Sequence, residues 1–249
     1  MSDEHPTYPN PTISEAVCDI HFRLKEWKPS LPGELFKRIQ DEYPEMEPIV
    51  EMGVQFEFGP SGTGTKILPQ TQKVRYKHGS RPLVLQLAEN NLSVSILPPY
   101  RGWRLMKDDV LAAWQKIEEV LQPTTIFRIG LRYINRIEKE TEQDRAADWL
   151  MANDFIPKSI LQSEKGFLLR VQTHLNAENL VIVTLGDTQA ISETEFGNII
   201  FDIDRIVERE IQPQADILNQ EMDQLHTDVW HIFASARGEK LSRLLNRGE

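Results

Sequence analysis

The stretch Thr125-Ile126-Phe127-Arg128-Ile129-Gly130-Leu131-Arg132-Tyr133-Ile134-Asn135-Arg136-Ile137 alternates between apolar and polar residues. This period of two predicts one long β-strand with an apolar core face. We expect that face to carry Phe127, Ile129, Leu131, Tyr133 and Ile137. Arg128, Arg132 and Arg136 fall on the opposite face. Three arginines on one strand face are expected to meet water, carboxylates or an anionic ligand, because an unpaired buried charge is costly.

The composition of the chain is that of a globular protein. Its 249 residues suffice for one large domain or two small ones, and 40% of them are hydrophobic. The formal net charge of −10 disfavours nucleic-acid binding, which depends on neutralising phosphates. The single cysteine, Cys18, excludes an internal disulfide and a cysteine-based zinc site. The polar amino terminus lacks a signal sequence, and no run approaches the roughly 20 apolar residues of a membrane span. We therefore expect a cytoplasmic protein without membrane contact.

The order of predicted elements recurs after Pro123. The first part predicts a strand, a helix, four strands and a long helix at about 13–24, 32–43, 50–58, 66–76, 83–87, 92–97 and 103–121. The second part predicts a strand, a helix, three strands and two helices at about 125–137, 143–152, 167–175, 180–185, 199–207, 214–236 and 239–246. The proline-rich residues 1–12 are expected to form an extended arm.

This pattern predicts an α+β fold. Two similar β-α-β(3–4)-α units, 13–122 and 123–249, would each form antiparallel sheet with a long helix packed on one face. Two arrangements remain open at this point. Each closing helix can cover its own sheet, or the two sheets can join into one continuous curved sheet.

Four stretches together resemble a known family. They are Pro11–Phe22, Pro99–Trp103, Arg128–Arg136 and Asp202–Asp204. They are similar to a sporadically distributed family of uncharacterised bacterial proteins of about this length, with Gly-Leu-Arg-Tyr-Ile-Asn as the most specific part. The resemblance implies a bacterial, soluble, single-chain protein. It implies no catalytic residue.

Two carboxylates, Asp202 and Asp204, stand two residues apart on one side of a predicted strand whose other side is apolar. Such a pair can hold a divalent cation that orients a phosphate group. It can equally pair with Arg128, Arg132 and Arg136 if the two strands are neighbours in the sheet. The sequence favours ion pairing and keeps a metal site as the alternative.

The first predicted strand also has a polar face, formed by Glu15, Asp19 and His21. If the two units are related by pseudo-symmetry, their first strands lie near a shared centre, and Glu15 and Asp19 face the arginines. Arginines that find no carboxylate there would be free to bind a ligand. We therefore take Glu15, Asp19, His21, Arg128, Arg132 and Arg136 as candidate ligand-binding residues.

Other motifs point to structure rather than chemistry. The glycine-rich stretch 59–66 lacks the Gly-Lys-Ser/Thr ending of a phosphate-binding loop and predicts a hairpin loop. The six histidines show no metal-binding spacing, and Cys18 lies on an apolar strand face, which favours an inert core thiol. Tyr100, Arg101 and Trp103 precede a helix, where a packed helix start is favoured over a binding surface.

These features favour a non-enzymatic binding or interaction module of a bacterial cytoplasm. Its ligand would be an anionic small molecule or a partner protein held on the polar sheet face. The alternative is a metal-dependent phosphoryl-transfer or hydrolase enzyme that uses Asp202 and Asp204. We expect no cofactor in the first case and a divalent metal ion in the second.

Overall fold

The computed structural model describes residues 5–51, 54–59, 62–67, 71–163, 166–188 and 196–248. Its strands are β1 (Ile13–Arg23), β2 (Glu45–Glu51), β3 (Val54–Gly59), β4 (Gly62–Ile67), β5 (Thr71–Lys77), β6 (Leu83–Ala88), β7 (Asn91–Ile96), β8 (Thr125–Glu138), β9 (Phe167–Asn176), β10 (Asn179–Thr188) and β11 (Asn198–Ile211). Its helices are α1 (Leu31–Ile39), α2 (Trp103–Leu121), α3 (Ala146–Trp149), α4 (Lys158–Leu161), α5 (Ala215–Ala236) and α6 (Glu239–Leu245).

Nine strands of the described ranges form one antiparallel sheet. Their order is β2-β5-β6-β7-β1-β8-β11-β10-β9, and β3 pairs with β4 in a separate hairpin. At the centre of the sheet β1 pairs with β8, with Cys18 opposite Leu131. This pair joins the two parts of the chain, so the predicted sheets form one continuous sheet. The α+β class with a large antiparallel sheet is confirmed.

The long helices α2 and α5 pack on one side of this sheet, which we call the helix face. Cys18, Leu131 and Ile203 point to this side and are fully buried. The Phe22 ring lies 5.6 Å from the fully buried Trp114 of α2. Burial raises the pKa of the Cys18 thiol, which agrees with an inert core residue. None of the described helices combines the length and apolar character that crossing a bilayer requires.

Alternate residues of the central strands point to the other side, which we call the polar face. It carries Glu15, Asp19 and His21 of β1, Arg128, Arg132 and Arg136 of β8, and Asp202, Asp204 and Glu208 of β11. His21 and Glu208 flank Arg128 in the register, and Asp204 lies opposite Arg132. The prediction that the three arginines share one face is therefore confirmed.

One residue of the β8 prediction is on the wrong face. Phe127 is the extra residue of a β-bulge, because Arg128 pairs with His21 whereas Ile126 pairs with Phe22. The bulge restarts the alternation, so Ile126 enters the core in place of Phe127. Phe127 instead lies beside His21, with ring centroids 5.8 Å apart.

Three other predicted elements differ from the structure. The helix expected at 143–152 is limited to α3, because Leu150 turns to extended backbone and forms a β-bridge with Arg237. The strand expected at 50–58 falls on the end of β2 and on β3, and residues 52–53 lie outside the described residues. The glycine-rich stretch 59–66, expected to be a hairpin loop, lies mostly in β4. Gly59 of β3 is opposite Gly62 of β4, and Pro60 and Ser61 also lie outside the described residues.

The contact between α2 and the sheet can be tested at Trp114. Trp114 has no exposed surface, and its indole nitrogen donates to the Pro213 carbonyl at 2.7 Å. We expect Trp114→Ala to lower the free energy of unfolding by about 3–5 kcal/mol, because the substitution leaves a large cavity. Leu105→Ala is the control on the same helix, since Leu105 is exposed. Urea denaturation measures both; a loss below about 1 kcal/mol for Trp114→Ala would contradict this packing.

Candidate functional site

The polar face is held by a bidentate ion pair at its centre. The Arg132 Nε and Nη2 atoms donate to the two carboxylate oxygens of Asp202 at 2.8 and 2.7 Å. The Asp202 side chain is only 7% exposed and that of Arg132 is 43% exposed. This pair raises the pKa of Arg132. This is the ion pairing that the sequence favoured for Asp202, and it occupies both carboxylate oxygens.

The other two arginines meet carboxylates that the sequence did not nominate. Arg128 lies 3.5 Å from Glu208, and Arg136 lies 4.0 Å from Glu138. Arg136 also donates to the Asn198 amide oxygen at 3.0 Å. Glu208 lies on β11 directly opposite Arg128, and Asn198 lies on β11 two residues from the partner of Arg136, whereas Glu138 belongs to β8 itself.

The candidate residues of β1 are engaged mainly with neighbours other than arginine. Asp19 accepts a hydrogen bond from the Ser93 hydroxyl of β7. Burial lowers the pKa of His21, and the nearby Arg128 charge lowers it further. Glu15 contributes through its charge, which helps to raise the pKa of Arg132. We call the ion pairs Arg132–Asp202, Arg128–Glu208 and Arg136–Glu138 the ionic lattice, and Glu15, Asp19 and His21 lie beside it.

The two carboxylates of the predicted metal pair, Asp202 and Asp204, have different environments: Asp202 pairs with Arg132, whereas Asp204 is buried with a raised pKa. Burial raises the pKa of Asp204 to about 6 and outweighs the opposing charges of Arg132 and Arg128, while the weaker contributions of Asp202 and Asp19 act in the same direction as burial. Among the described residues no group of three or more His, Cys, Asp or Glu side chains is arranged to hold a metal ion. The Asp202–Arg132 pair uses the oxygens that a metal would need.

A concave site lies on the opposite side of the sheet, where the sequence nominated no ligand. We call it the arm pocket. Residues 5–8 form its roof, Tyr133 and Asn135 of β8 its floor, and Trp103, His226 and Trp230 its walls. Its volume is about 80 Å³, and none of the described lining residues is Asp, Glu, Lys or Arg. The site is therefore aromatic and uncharged.

Polar groups of the floor are hydrogen-bonded within the fold. The Tyr133 and Tyr100 hydroxyls lie 2.9 Å apart. The Asn135 amide donates to the Phe201 carbonyl at 3.2 Å, and its oxygen accepts from the Thr12 hydroxyl at 3.0 Å. Asn135 thus bonds both to the backbone of β11 and to the base of the arm. Because each of these contacts spans distant parts of the chain, the floor is held rigidly.

His226 lies in the wall of the pocket, and its imidazole ring is neutral. Its imidazole stacks on Trp103 with centroids 4.2 Å apart and planes 2° from parallel. Burial lowers the pKa of His226 to about 3, and the nearby His5 lowers it further. Within the described ranges this imidazole makes stacking contacts and no hydrogen bond. It is therefore an uncharged hydrogen-bonding group available to a ligand.

Trp103 also shows that the helix start is both packed and part of the site. Its indole nitrogen donates to Asp223 of α5 at 3.0 Å, and Lys107 pairs with the same carboxylate at 2.8 Å. The packed interpretation of Tyr100 and Trp103 thus agrees with the structure. The sequence signal that was missed is the spacing of His226 and Trp230, which are four residues apart and share a helix face.

The arm that roofs the pocket crosses the ends of α5 and α6. The His5 ring stacks on Trp230 at 5.2 Å, and the Tyr8 hydroxyl meets the Arg237 guanidinium. Gly102 lets the arm approach, because it has a φ of +104° and a Cβ there would lie 2.9 Å from the Thr7 hydroxyl oxygen. Only glycine fits this position without strain.

Comparison with known proteins adds no assignment: no family model matches the chain, and a search of curated proteins returns no match. The resemblance noted from the sequence therefore stays a prediction. The site has to be interpreted from its own geometry.

The lattice of the polar face can be tested at Arg132. We expect Arg132→Ala to lower the free energy of unfolding by about 2 kcal/mol, because it leaves the buried Asp202 carboxylate unpaired. The full cost of a buried pair does not apply, since Arg132 is partly exposed.

Arg136→Ala is the matched control on the same strand, since its 47% exposed side chain meets an exposed Glu138. It should cost less than about 1 kcal/mol. Adding Asp202→Asn to Arg132→Ala should restore part of the loss. Equal effects of the two arginine substitutions in urea denaturation would contradict the lattice.

The environment of His226 predicts a pH dependence of stability. Its folded pKa of about 3 lies below the ordinary 6.5, so the unfolded chain takes up the proton first. The stabilising contribution is complete above about pH 6.5 and is lost as the pH falls toward 3. Between pH 7 and pH 5 this group should reduce the free energy of unfolding by about 2 kcal/mol.

Asp204 acts in the opposite direction, because its raised pKa of about 6 favours the folded state as the pH falls through 6. Comparing the wild type with His226→Phe cancels the contribution of Asp204, because both proteins retain it. The phenylalanine also keeps an aromatic ring on Trp103. Unfolding at pH 7 and pH 5 should show a smaller loss in His226→Phe than in the wild type. His174→Phe, on an exposed position of β9, should leave the loss unchanged.

Proposed function

We propose that the protein is a non-enzymatic binding module that holds a small, uncharged, partly aromatic molecule in the arm pocket. The observation that carries this proposal is the combination of aromatic walls with an uncharged lining. Ligand sites are typically concave and apolar, with a few polar groups that fix orientation. The arm pocket has these properties, whereas the polar face is a surface of paired charges.

The chemistry of the walls defines the ligand class. Trp230 offers an aromatic surface, and the neutral His226 ring offers a hydrogen-bonding nitrogen. A charged ligand would lose its hydration without gaining a counter-charge from the lining. A flat neutral ring with one hydrogen-bonding group, of the type represented by indole, fits these constraints.

The polar face is the second candidate site, for an anionic small molecule or a partner protein. Arg136, exposed at the edge of the lattice, favours it. The face as defined carries five carboxylates, from Glu15, Asp19, Asp202, Asp204 and Glu208, against three arginines. This excess repels a free anion, so a partner protein with its own basic residues is better supported there.

The alternative of a metal-dependent phosphoryl-transfer or hydrolase enzyme has less support. Its two carboxylates differ in their engagement, since Asp202 is held by Arg132 and the buried Asp204 has a raised pKa. A rise in melting temperature with Mg²⁺ or Mn²⁺ that is lost in Asp202→Ala and Asp204→Ala would favour this alternative.

The resemblance supports a bacterial setting for this function. The strand order supports the interpretation of the fold as two similar units. Outward from the β1–β8 pair it runs β7, β6, β5 and β2 on one side and β11, β10 and β9 on the other. In this proposal 13–122 and 123–249 are equivalent units, with β2 and the β3–β4 hairpin additional in the first.

Titration with indole tests the proposed function. We expect saturable shifts of the Trp103 and Trp230 indole N–H signals in heteronuclear NMR spectra. Val229→Phe should weaken the affinity at least tenfold, because Val229 lines the pocket and a larger ring reduces its volume. Ile217→Phe makes the same enlargement at a partly buried position of α5 outside the described lining.

The control Ile217→Phe should bind indole like the wild type. Melting temperatures of both variants separate a loss of binding from a loss of folding. Absence of saturable binding by indole and by other neutral heteroaromatic fragments would refute the proposal, as would shifts confined to the polar face.

A further inference from the structure

The arm pocket is too small for the ligand class that its walls select. Its volume is about 80 Å³. A buried apolar cavity that holds benzene has a volume of about 150 Å³. A flat ring therefore requires one wall of the pocket to move.

Most walls of the pocket belong to the packed core. Tyr133 and Val229 are buried on β8 and α5, and Trp103 is fixed between His226 and the Asp223 carboxylate. Displacing any of these would break the packing of the helix face.

The roof is held differently. Residues 5–11 precede the first strand and form no ladder of backbone hydrogen bonds. Asn10 donates through its backbone to the Leu245 carbonyl at 3.2 Å and through its side chain to the Leu244 carbonyl at 3.1 Å. Tyr8 and His5 rest on Trp230 through ring contacts, the Tyr8 hydroxyl meets Arg237, and the His5 ring lies 3.5 Å from the Thr227 hydroxyl. A surface segment held mainly by side chains, without a strand ladder, opens at a lower free-energy cost than the core.

We propose that residues 5–11 form a lid that occupies the aromatic groove and has to leave it before the ligand binds. This inference rests on the function proposed above and adds its regulation. The lid competes with the ligand for Trp230 and His226. The free protein is mostly closed, and the fraction of open molecules sets the apparent affinity.

Two anchors of the lid lie outside the described lining of the pocket, which allows a clean test. Asn10 bonds to α6, and Arg237 holds the Tyr8 hydroxyl and lies 5.6 Å from the Tyr8 ring. Asn10→Ala and Arg237→Gln loosen the lid without changing the lining. Arg247→Gln is the control, because Arg247 pairs with Glu140 and is exposed.

The experiment measures hydrogen exchange of the arm amides and the kinetics of indole binding in the full chain. Asn10→Ala and Arg237→Gln should accelerate exchange at Asn10 or its neighbours. They should raise the association rate about tenfold and lower the apparent dissociation constant in proportion. The dissociation rate should stay unchanged, because the lid does not contact the bound ligand. Arg247→Gln should behave like the wild type.

The outcomes of this experiment distinguish failure of the lid from failure of the proposed function. Faster exchange with an unchanged association rate overturns the lid, and the proposed function stands. A faster dissociation rate in both variants also overturns it, because it shows an arm that closes over the ligand. If indole binds neither the wild type nor the loosened variants, the proposed function itself fails. Asn10→Ala keeps the test valid if Arg237→Gln does not fold, since Asn10 is exposed.

Discussion

The antiparallel pairing of β1 with β8 is the interaction on which the other features of the structure depend. It places Cys18 opposite Leu131 on the helix face and Asp19 opposite Gly130 on the polar face. Because side chains alternate along a strand, this register decides what each face carries. It also joins the two parts of the chain into one sheet, so that α2 and α5 share one core. A shift of one residue would place the arginines in that core.

The polar face carries many charged side chains, and its three arginines all lie beside carboxylates. β8 contributes the arginines, whereas β11 contributes Asp202, Asp204 and Glu208 in register with them. Cross-strand pairs of opposite charge are favourable, and a bidentate arginine–carboxylate pair is among the strongest. The carboxylates therefore pair with the three arginines, although the buried Arg128 Nε makes no hydrogen bond within the described residues, and the face keeps an excess of negative charge. An arginine-rich strand is in this case evidence of sheet pairing before it is evidence of ligand binding.

The arm pocket depends on contacts that are distant in sequence. His5, Trp103, Tyr133 and His226 come from the arm, α2, β8 and α5. The α2–α5 contact is fixed by the Trp103–Asp223 hydrogen bond and the Lys107–Asp223 ion pair. The Trp103–His226 stack follows from that contact, and the Asn135–Thr12 bond fixes the base of the arm. The pocket is thus a product of the helix packing that the central strand pair imposes.

The sequence by itself determined the main elements and their faces. The period of two placed Arg128, Arg132 and Arg136 together, and residue patterns located the two long helices at about 103–121 and 214–236, because both signals depend only on local backbone geometry. The β-bulge at Phe127 escaped this reasoning, since a bulge arises from the partner strands. The partners of Arg128 and Arg136 and the assembly of the arm pocket were decided by tertiary structure alone. Strand order and register bring distant residues together, and no local periodicity encodes which strands become neighbours.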